Sequence, residues 1–173
     1  MTASPRLIVG LGNPGSEYAQ HRHNVGFMVA DSLSTALKTS FSSKFSGLFA
    51  SAQVASEKIF LLKPQTYMNL SGNSVQAAAQ FYKIPNERIT VLHDELDLAF
   101  GTVRMKTGGG DAGHNGLKSI TAALGADYTR IRIGIGHPGH KDAVSDYVLS
   151  PFSAAERETL PSVLVKAMAL LSL

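Results

Sequence analysis

The stretch GLGNPGSEYAQHRHNVGF, residues 10–27, follows the apolar run of residues 6–9 and decides how the chain is read. Gly10, Gly12 and Gly15 fit the spacing G-x-G-x-x-G. In a dinucleotide fold that loop turns directly into a helix whose amino end takes the phosphates. Here Pro14, Gly15 and the polar run SEYAQHRH delay the helix. Such a fold also needs an acidic residue about 20 positions on, at the end of the second strand. Asp31 lies instead inside an amphipathic helical pattern, so the dinucleotide reading is set aside. Gly10 and Gly12 read as close-approach positions at a strand end. Asn13-Pro14-Gly15 reads as a rigid turn that presents an amide. Residues 21–24 read as a helix start that delivers His21 and His23, with Asn24 expected as its N-cap.

Working outward, hydrophobic spacing predicts a buried strand over 6–12 and a helix over 24–37. Residues 38–47, Ser-rich with interspersed Phe, read as an irregular excursion. Strands are expected over 49–54 and 58–63, a helix over 71–82, and a strand over 88–93. A shorter strand or hairpin arm falls within 98–106, followed by a glycine loop at 108–110. A helix over 116–124 stops at Gly125, and alternating Ile and Arg/Gly predict a strand over 128–136. Ser153-Ala-Ala-Glu156 is a capping box that opens a last helix, which Pro161 is expected to begin, kink or divide. With no internal repeat and no linker, the expectation is one α/β domain over 1–173, a mixed, mostly parallel twisted sheet flanked by helices.

Bulk properties narrow the class. The 173 residues suit one domain with a sizeable core. Hydrophobic residues make up 44% and charged residues 17%, as in a soluble globular protein. The formal charge of +3 allows a polyanionic partner without demanding one. There is no cysteine, which removes thiol nucleophiles, disulfides and Cys-ligated zinc, and suits a reducing cytoplasm. No stretch approaches a membrane span, and the first ten residues lack the apolar run of a signal peptide.

Polar clusters follow the predicted strands: Asn13-Pro14-Gly15, residues 65–69, Asp94-Glu95, residues 113–116 and residues 137–140. In open α/β sheets ligands bind beyond the carboxyl ends of the strands. Strand-to-helix loops are polar for turn chemistry alone, but five clusters rich in His, Asn and Asp favour a site. Two chemistries fit. His21, His23, His93, Asp94, Asp97 and His114 are metal-ligand types, although no helical H-x-x-x-H pair fixes a ligand set. Alternatively a histidine activates water directly, a carboxylate fixes its tautomer, and amides hold the oxyanion. His23, Asp94, Asn13, Asn69 and Asn115 supply those types.

The chain resembles bacterial-type peptidyl-tRNA hydrolases. The resemblance is carried by VGLGNPGSEYAQHRHNVGF, LLKPQTYMNLSG, HDELDL, GGGDAGHNGLKSI and RIRIGIGHPGHKDAVSDYVLSPF, in the family's order, covering most of 7–152. It implies one α/β domain, usually monomeric and cytoplasmic, without cofactor, metal or obligate protein partner. Its implied substrate is peptidyl-tRNA, bound at the acceptor end. The resemblance puts the family's base on His23, its carboxylate partner on Asp94, and its substrate-holding amides on Asn13, Asn69 and Asn115. Tyr18, Tyr67 and His114 fall at positions near the tRNA end, and Lys106 and Arg132 at a basic clamp on the tRNA 5′ phosphate.

Simpler roles stand beside these. Tyr18 and Tyr67 could serve simply as half-buried loop aromatics, but stacking on a single-stranded RNA end stands slightly ahead, because such ends are read by stacking. His93, in an apolar strand, reads as a satisfied core histidine, and Met68 as core. Glu95 and Asp97 read as turn or helix-start residues. His137 and His140 read as surface loop residues. Arg104, Lys106, Lys118, Arg130, Arg132 and Lys141 against Asp111 and Asp127 make residues 104–141 locally basic, as a phosphate surface requires. The sequence departs from the family pattern at His21, usually Thr, which is expected to put a second imidazole near the base. It also departs at Asp111, which places a negative charge in the glycine loop.

Overall fold

The computed structural model describes residues 5–173; residues 1–4 of the expected 1–173 domain lie outside the described residues. Seven strands form one sheet: β1 (Arg6–Gly10), β2 (Ser42–Lys44), β3 (Gly47–Val54), β4 (Glu57–Pro64), β5 (Ile89–Glu95), β6 (Val103–Thr107) and β7 (Thr129–Gly134). Their order across the sheet is β2-β3-β4-β1-β5-β7-β6. The central pairs β4–β1, β1–β5 and β5–β7 are parallel, and β2–β3, β3–β4 and β6–β7 are antiparallel. The helices are α1 (Val25–Ala36), α2 (Ser71–Tyr82), α3 (Asn115–Leu124), α4 (Val144–Val148) and α5 (Ala154–Ala169). No described helix is long and apolar enough to cross a membrane.

Alternation along the central strands explains the layers. Leu7, Val9, Ile89 and Val91 face a core completed by Val75 and Ala78 of α2 and Leu117 and Ile120 of α3. Ile8, Leu61, Leu92, Ile131 and Ile133 face a second core completed by Val25, Val29 and Leu33 of α1 and Val163 and Ala167 of α5. The connection after β1 thus leads to one face of the sheet and the connection after β4 to the other. Such a switch opens a crevice beyond the strand ends.

Gly10 and Gly12 act as the sequence suggests. A Cβ on Gly10 would lie 2.3 Å from the Gly26 carbonyl oxygen, and one on Gly12 would lie 2.7 Å from the Phe27 ring. The α2 bounds match the sequence expectation, as does the capping box of Ser153 and Glu156.

Three expectations are corrected, and the direction of one strand is added. Residues 38–47 are not wholly irregular: Ser42–Lys44 pairs with β3 as an edge strand, stabilised by pairing that no local periodicity signals. Pro161 does not divide α5, which runs continuously to Ala169. Asn24 does not cap α1 with its side chain, because that side chain is spent on Asn13. Strand β6 runs against β7, with Thr107 opposite Thr129 at the amino end of β7. The glycine loop must therefore travel back along the sheet to bring His114 to the carboxyl rim. Gly108 and Gly109 take left-handed φ values of 69° and 99° to begin that return. The Gly108 N–H donates to the Tyr128 carbonyl, and Arg130 Nη2 holds the Gly109 carbonyl at 3.0 Å.

Candidate active site

The crevice holds a cavity of about 750 Å³. His23 enters from a single 3-10 turn, Arg22–Asn24, between β1 and α1. Asp94 enters from the buried end of β5 and His114 from the start of α3. Asp94 joins all three. His23 Nδ1 lies 2.7 Å from Asp94 Oδ2, and His114 Nε2 lies 2.7 Å from Asp94 Oδ1.

The hydrogen bonds fix where the protons sit. A carboxylate only accepts, so the facing nitrogens carry the hydrogens. His114 Nδ1 accepts from the Gly116 and Leu117 N–H groups at 3.1 and 3.3 Å, capping α3. His114 is thus a neutral imidazole protonated on Nε2, with both nitrogens committed. His23 donates through Nδ1, which leaves Nε2 as its acceptor.

Burial alone would lower the pKa of His23, but the Asp94 charge and hydrogen bond outweigh it and raise the pKa above 6.5. Burial would likewise push Asp94 up. The two imidazole partners reverse this and hold its pKa well below the usual carboxylate range. The Asp94 side chain is only 2% exposed, so this ionised group depends on both partners.

Asn13 is held as firmly. Its N–H donates to Asn24 Oδ1 and its carbonyl accepts from Asn24 Nδ2, both at 2.9 Å. Its own Oδ1 accepts from the Met68 N–H at 2.7 Å. The Asn13 amide therefore offers its NH₂ end to the cavity it lines. Asn69 and Asn115 are exposed on the same cavity, as is Tyr67. Tyr67 has φ 64° and ψ 158°, a strained backbone for a residue with a Cβ, and its ring is half exposed. Tyr18 does not line the cavity; its ring meets Tyr67 edge-on with centroids 6.4 Å apart.

Lys106 and Arg132 fall on an adjoining cavity of about 340 Å³, which shares Glu95, Asp97 and Ala112 with the first. Arg132 Nε is paired with Glu95 Oε1 at 3.0 Å, while Glu95 Oε2 accepts from the Asp97 N–H at 3.3 Å, so Glu95 holds the turn after β5 and is an ion-pair partner as well.

Two further histidine expectations change. The imidazole beside the base is His114, with ring centroids 5.1 Å apart. The ring contact of His21 is with Tyr18, at 5.6 Å. His93 is buried, but only its Nδ1 is satisfied, by the Asp94 carbonyl at 2.8 Å; Nε2 has no partner among the described residues. Burial and the neighbouring His114 push its pKa down to about 4, against the opposing pull of Asp94 and Glu95.

The sequence reasoning missed Arg22 and the short helix α4. Val144, Val148 and Leu149 give the cavity that His23 lines an apolar wall, and His137 and Lys141 line it too. Arg22 sits beside His23 in the quoted stretch, and its guanidinium is buried. Its neighbours in sequence are polar, so no local signal marks its burial.

A carboxylate-anchored imidazole facing a crevice of amides, on a mostly parallel α/β sheet, defines a hydrolase-type site. A sequence profile described as peptidyl-tRNA hydrolase matches residues 7–173, and the chain belongs to that family. Among its relatives is the peptidyl-tRNA hydrolase of Sorangium cellulosum, 55% identical over 166 residues, covering 94% of this chain and 74% of that protein. Another, from Beijerinckia indica, is 57% identical over 151 residues, covering 87% of this chain and 76% of the relative. The crystal structure of peptidyl-tRNA hydrolase from Acinetobacter baumannii superposes with a TM-score of 0.91 at 42% identity, covering 99% of this chain and 91% of that one.

Proposed function

We propose that this chain hydrolyses the ester between an N-blocked peptide and the 3′ end of tRNA, with His23 as general base. The observation that carries the reading is the bond from His23 Nδ1 to Asp94, which leaves Nε2 to take a proton. Water attacks the ester carbonyl as Nε2 removes its proton. Asp94 stabilises the imidazolium so formed. The NH₂ groups of Asn13, Asn69 and Asn115 are the donors for the substrate carbonyls and the oxyanion. When the tetrahedral intermediate collapses, the C–O bond to the ribose breaks and the departing oxygen takes the proton back from His23. Free peptide and tRNA leave.

Tyr67 and Tyr18 stack on the single-stranded acceptor end, a role that accounts for the strained, exposed Tyr67. Lys106 and Arg132 grip a tRNA phosphate beside it. Turnover of N-acetyl-aminoacyl-tRNA tests the reading, and a purified protein that binds this substrate without cleaving it refutes it. The chain acts as a monomer in the cytoplasm, where its cysteine-free composition and a translation substrate both belong; sedimentation at working concentration checks the monomer.

One observation favours a second reading. Ligand atoms of His23, Asp94 and His114 lie within 4.8 Å of one another, a spacing that suits a metal ion. A cation there would have to displace the Nε2 proton of His114, whose Nδ1 already accepts two N–H groups. Activity that survives exhaustive chelation supports the metal-free route. Activity lost to chelator and restored by a divalent metal supports the alternative.

A further inference from the structure

Arg22 precedes His23, and its side chain is 11% exposed. Its hydrogen-bond partners do not line the cavity. Nη1 donates to Ser150 Oγ at 2.6 Å and to the Tyr147 carbonyl at 3.4 Å, and Nη2 donates to Glu156 Oε1 at 2.9 Å. The guanidinium also lies 4.1 Å from the centre of the Tyr147 ring. Its backbone N–H donates to the Ser150 carbonyl.

Each partner is itself anchored. Tyr147 Oη donates to the Ile135 carbonyl just beyond β7. Ser150 Oγ donates to the Tyr147 carbonyl at 2.6 Å. Glu156 Oε1 completes the capping box by accepting from the Ser153 N–H. Close to these anchors in the chain, Val144, Val148 and Leu149 line the same cavity as His23. One buried cation thus ties the turn that carries the base to the element that forms the apolar wall. An isolated five-residue helix is far too short to hold itself in place, so α4 depends on such ties.

We propose that Arg22 is a positioning residue: by gripping Tyr147, Ser150 and Glu156 it fixes α4 against the turn that carries His23, and so sets the shape of the cavity that both line and the affinity for the ester end of the substrate. This rests on the functional reading above. Arg22 touches no reacting atom. His23 is oriented separately by Asp94, so loss of Arg22 acts on substrate binding more than on basicity.

The test is steady-state hydrolysis of N-acetyl-aminoacyl-tRNA by the full chain carrying Arg22→Gln or Arg22→Lys, with the folded fraction measured by circular dichroism. Arg22→Gln raises KM about tenfold or more, because charge-assisted bonds are lost. Lysine, which reaches fewer of the partners, gives a smaller rise. In both variants the acid limb of the kcat/KM profile stays where it is in the unaltered protein. An unchanged KM for folded Arg22→Gln, a loss confined to kcat, or a displaced acid limb overturns the proposal. If Arg22→Gln fails to fold, Glu156→Gln decides. It keeps an acceptor for the Ser153 N–H and removes the charge facing Arg22. A KM rise of about threefold supports the proposal, and an unchanged KM overturns it. Absence of turnover by the unaltered protein refutes the functional reading and this inference with it. Turnover with an indifferent Arg22 refutes the inference alone.

Discussion

Asn24 holds the backbone of Asn13 from both sides, accepting its N–H and donating to its carbonyl at 2.9 Å each. Asn24→Asp keeps the acceptor and loses the donor, leaving the buried Asn13 carbonyl unpaired. An unmet buried group costs about 1–3 kcal/mol. Thermal unfolding should show a loss of that size. With the Asn13 amide loosened, kcat/KM should fall by about tenfold, and Asn24→Ala should be at least as damaging.

Replacement of the base should fall on chemistry alone. His23→Ala lowers kcat by roughly 10²–10⁴-fold or more and leaves tRNA affinity nearly intact. His21→Thr retains most activity, because His21 packs on Tyr18 away from Asp94. An essential His21 with a dispensable His23 would reverse the assignment.

The pH profile should report Asp94. Its charge and hydrogen bond raise the pKa of His23 above 6.5 despite burial. The base works only when deprotonated, so activity climbs as pH passes that raised value. Asp94→Asn removes the raising influence and moves the acid limb to lower pH, while kcat drops because an amide cannot stabilise imidazolium. An unmoved limb would take Asp94 out of the mechanism.

Stability should fall with acid in two stages. His93 has its folded pKa pushed down to about 4 from 6.5. Between those values the unfolded chain binds the proton and the folded chain does not, so stability falls as pH drops through that window. Asp94, also depressed, adds a loss below about pH 4. His23 has the opposite sign, since its raised pKa adds stability as pH falls toward 6.5. Denaturant titrations of His93→Phe should show a flatter slope between pH 6.5 and 4 than the unaltered protein. An identical slope would assign the loss elsewhere.

Lys106 and Arg132 should separate in their response to salt. Arg132 already faces Glu95 at 3.0 Å, so part of its charge is spent within the protein. Lys106→Ala should flatten the dependence of log affinity on log salt by about 0.7–0.9, one phosphate contact. Arg132→Ala should weaken binding with a smaller change of slope, since Glu95 is left unpaired beside the phosphate. A minimal ester without the tRNA body should be cleaved as before by both variants. Equal losses on the two substrates would end the clamp assignment.

Much of this was legible in the sequence, and the reasons are local. The α2 bounds followed from apolar spacing, the capping box from residues 153–156, and the strand-end position of Asn13 and Asp94 from short apolar runs. What stayed hidden depends on pairing. Strand β6 has the same alternation whichever way it runs, so its reversal and the returning glycine loop left no trace in residue spacing. The type of His114 was visible, but its second bond to Asp94 arises only when that loop folds back. Asn24 has the residue type of a cap, and only the nearness of Asn13 gives it another use. Helix α4 is five residues long, too brief for periodicity to register.

The close approach of α1 to the sheet has a bearing on how the site withstands change. A Cβ on Gly26 would lie 2.4 Å from the Leu92 carbonyl oxygen and 2.5 Å from the Leu11 nitrogen. The start of α1 is therefore seated main chain against main chain, with no side-chain layer between. Those are the two strands that lead to Asn13 and Asp94. The start of α1 is thus gauged against the strand ends from backbone, as a machinist works from a datum face. A methyl added at Gly26 or Gly10 would force that seat apart, so both positions must stay bare.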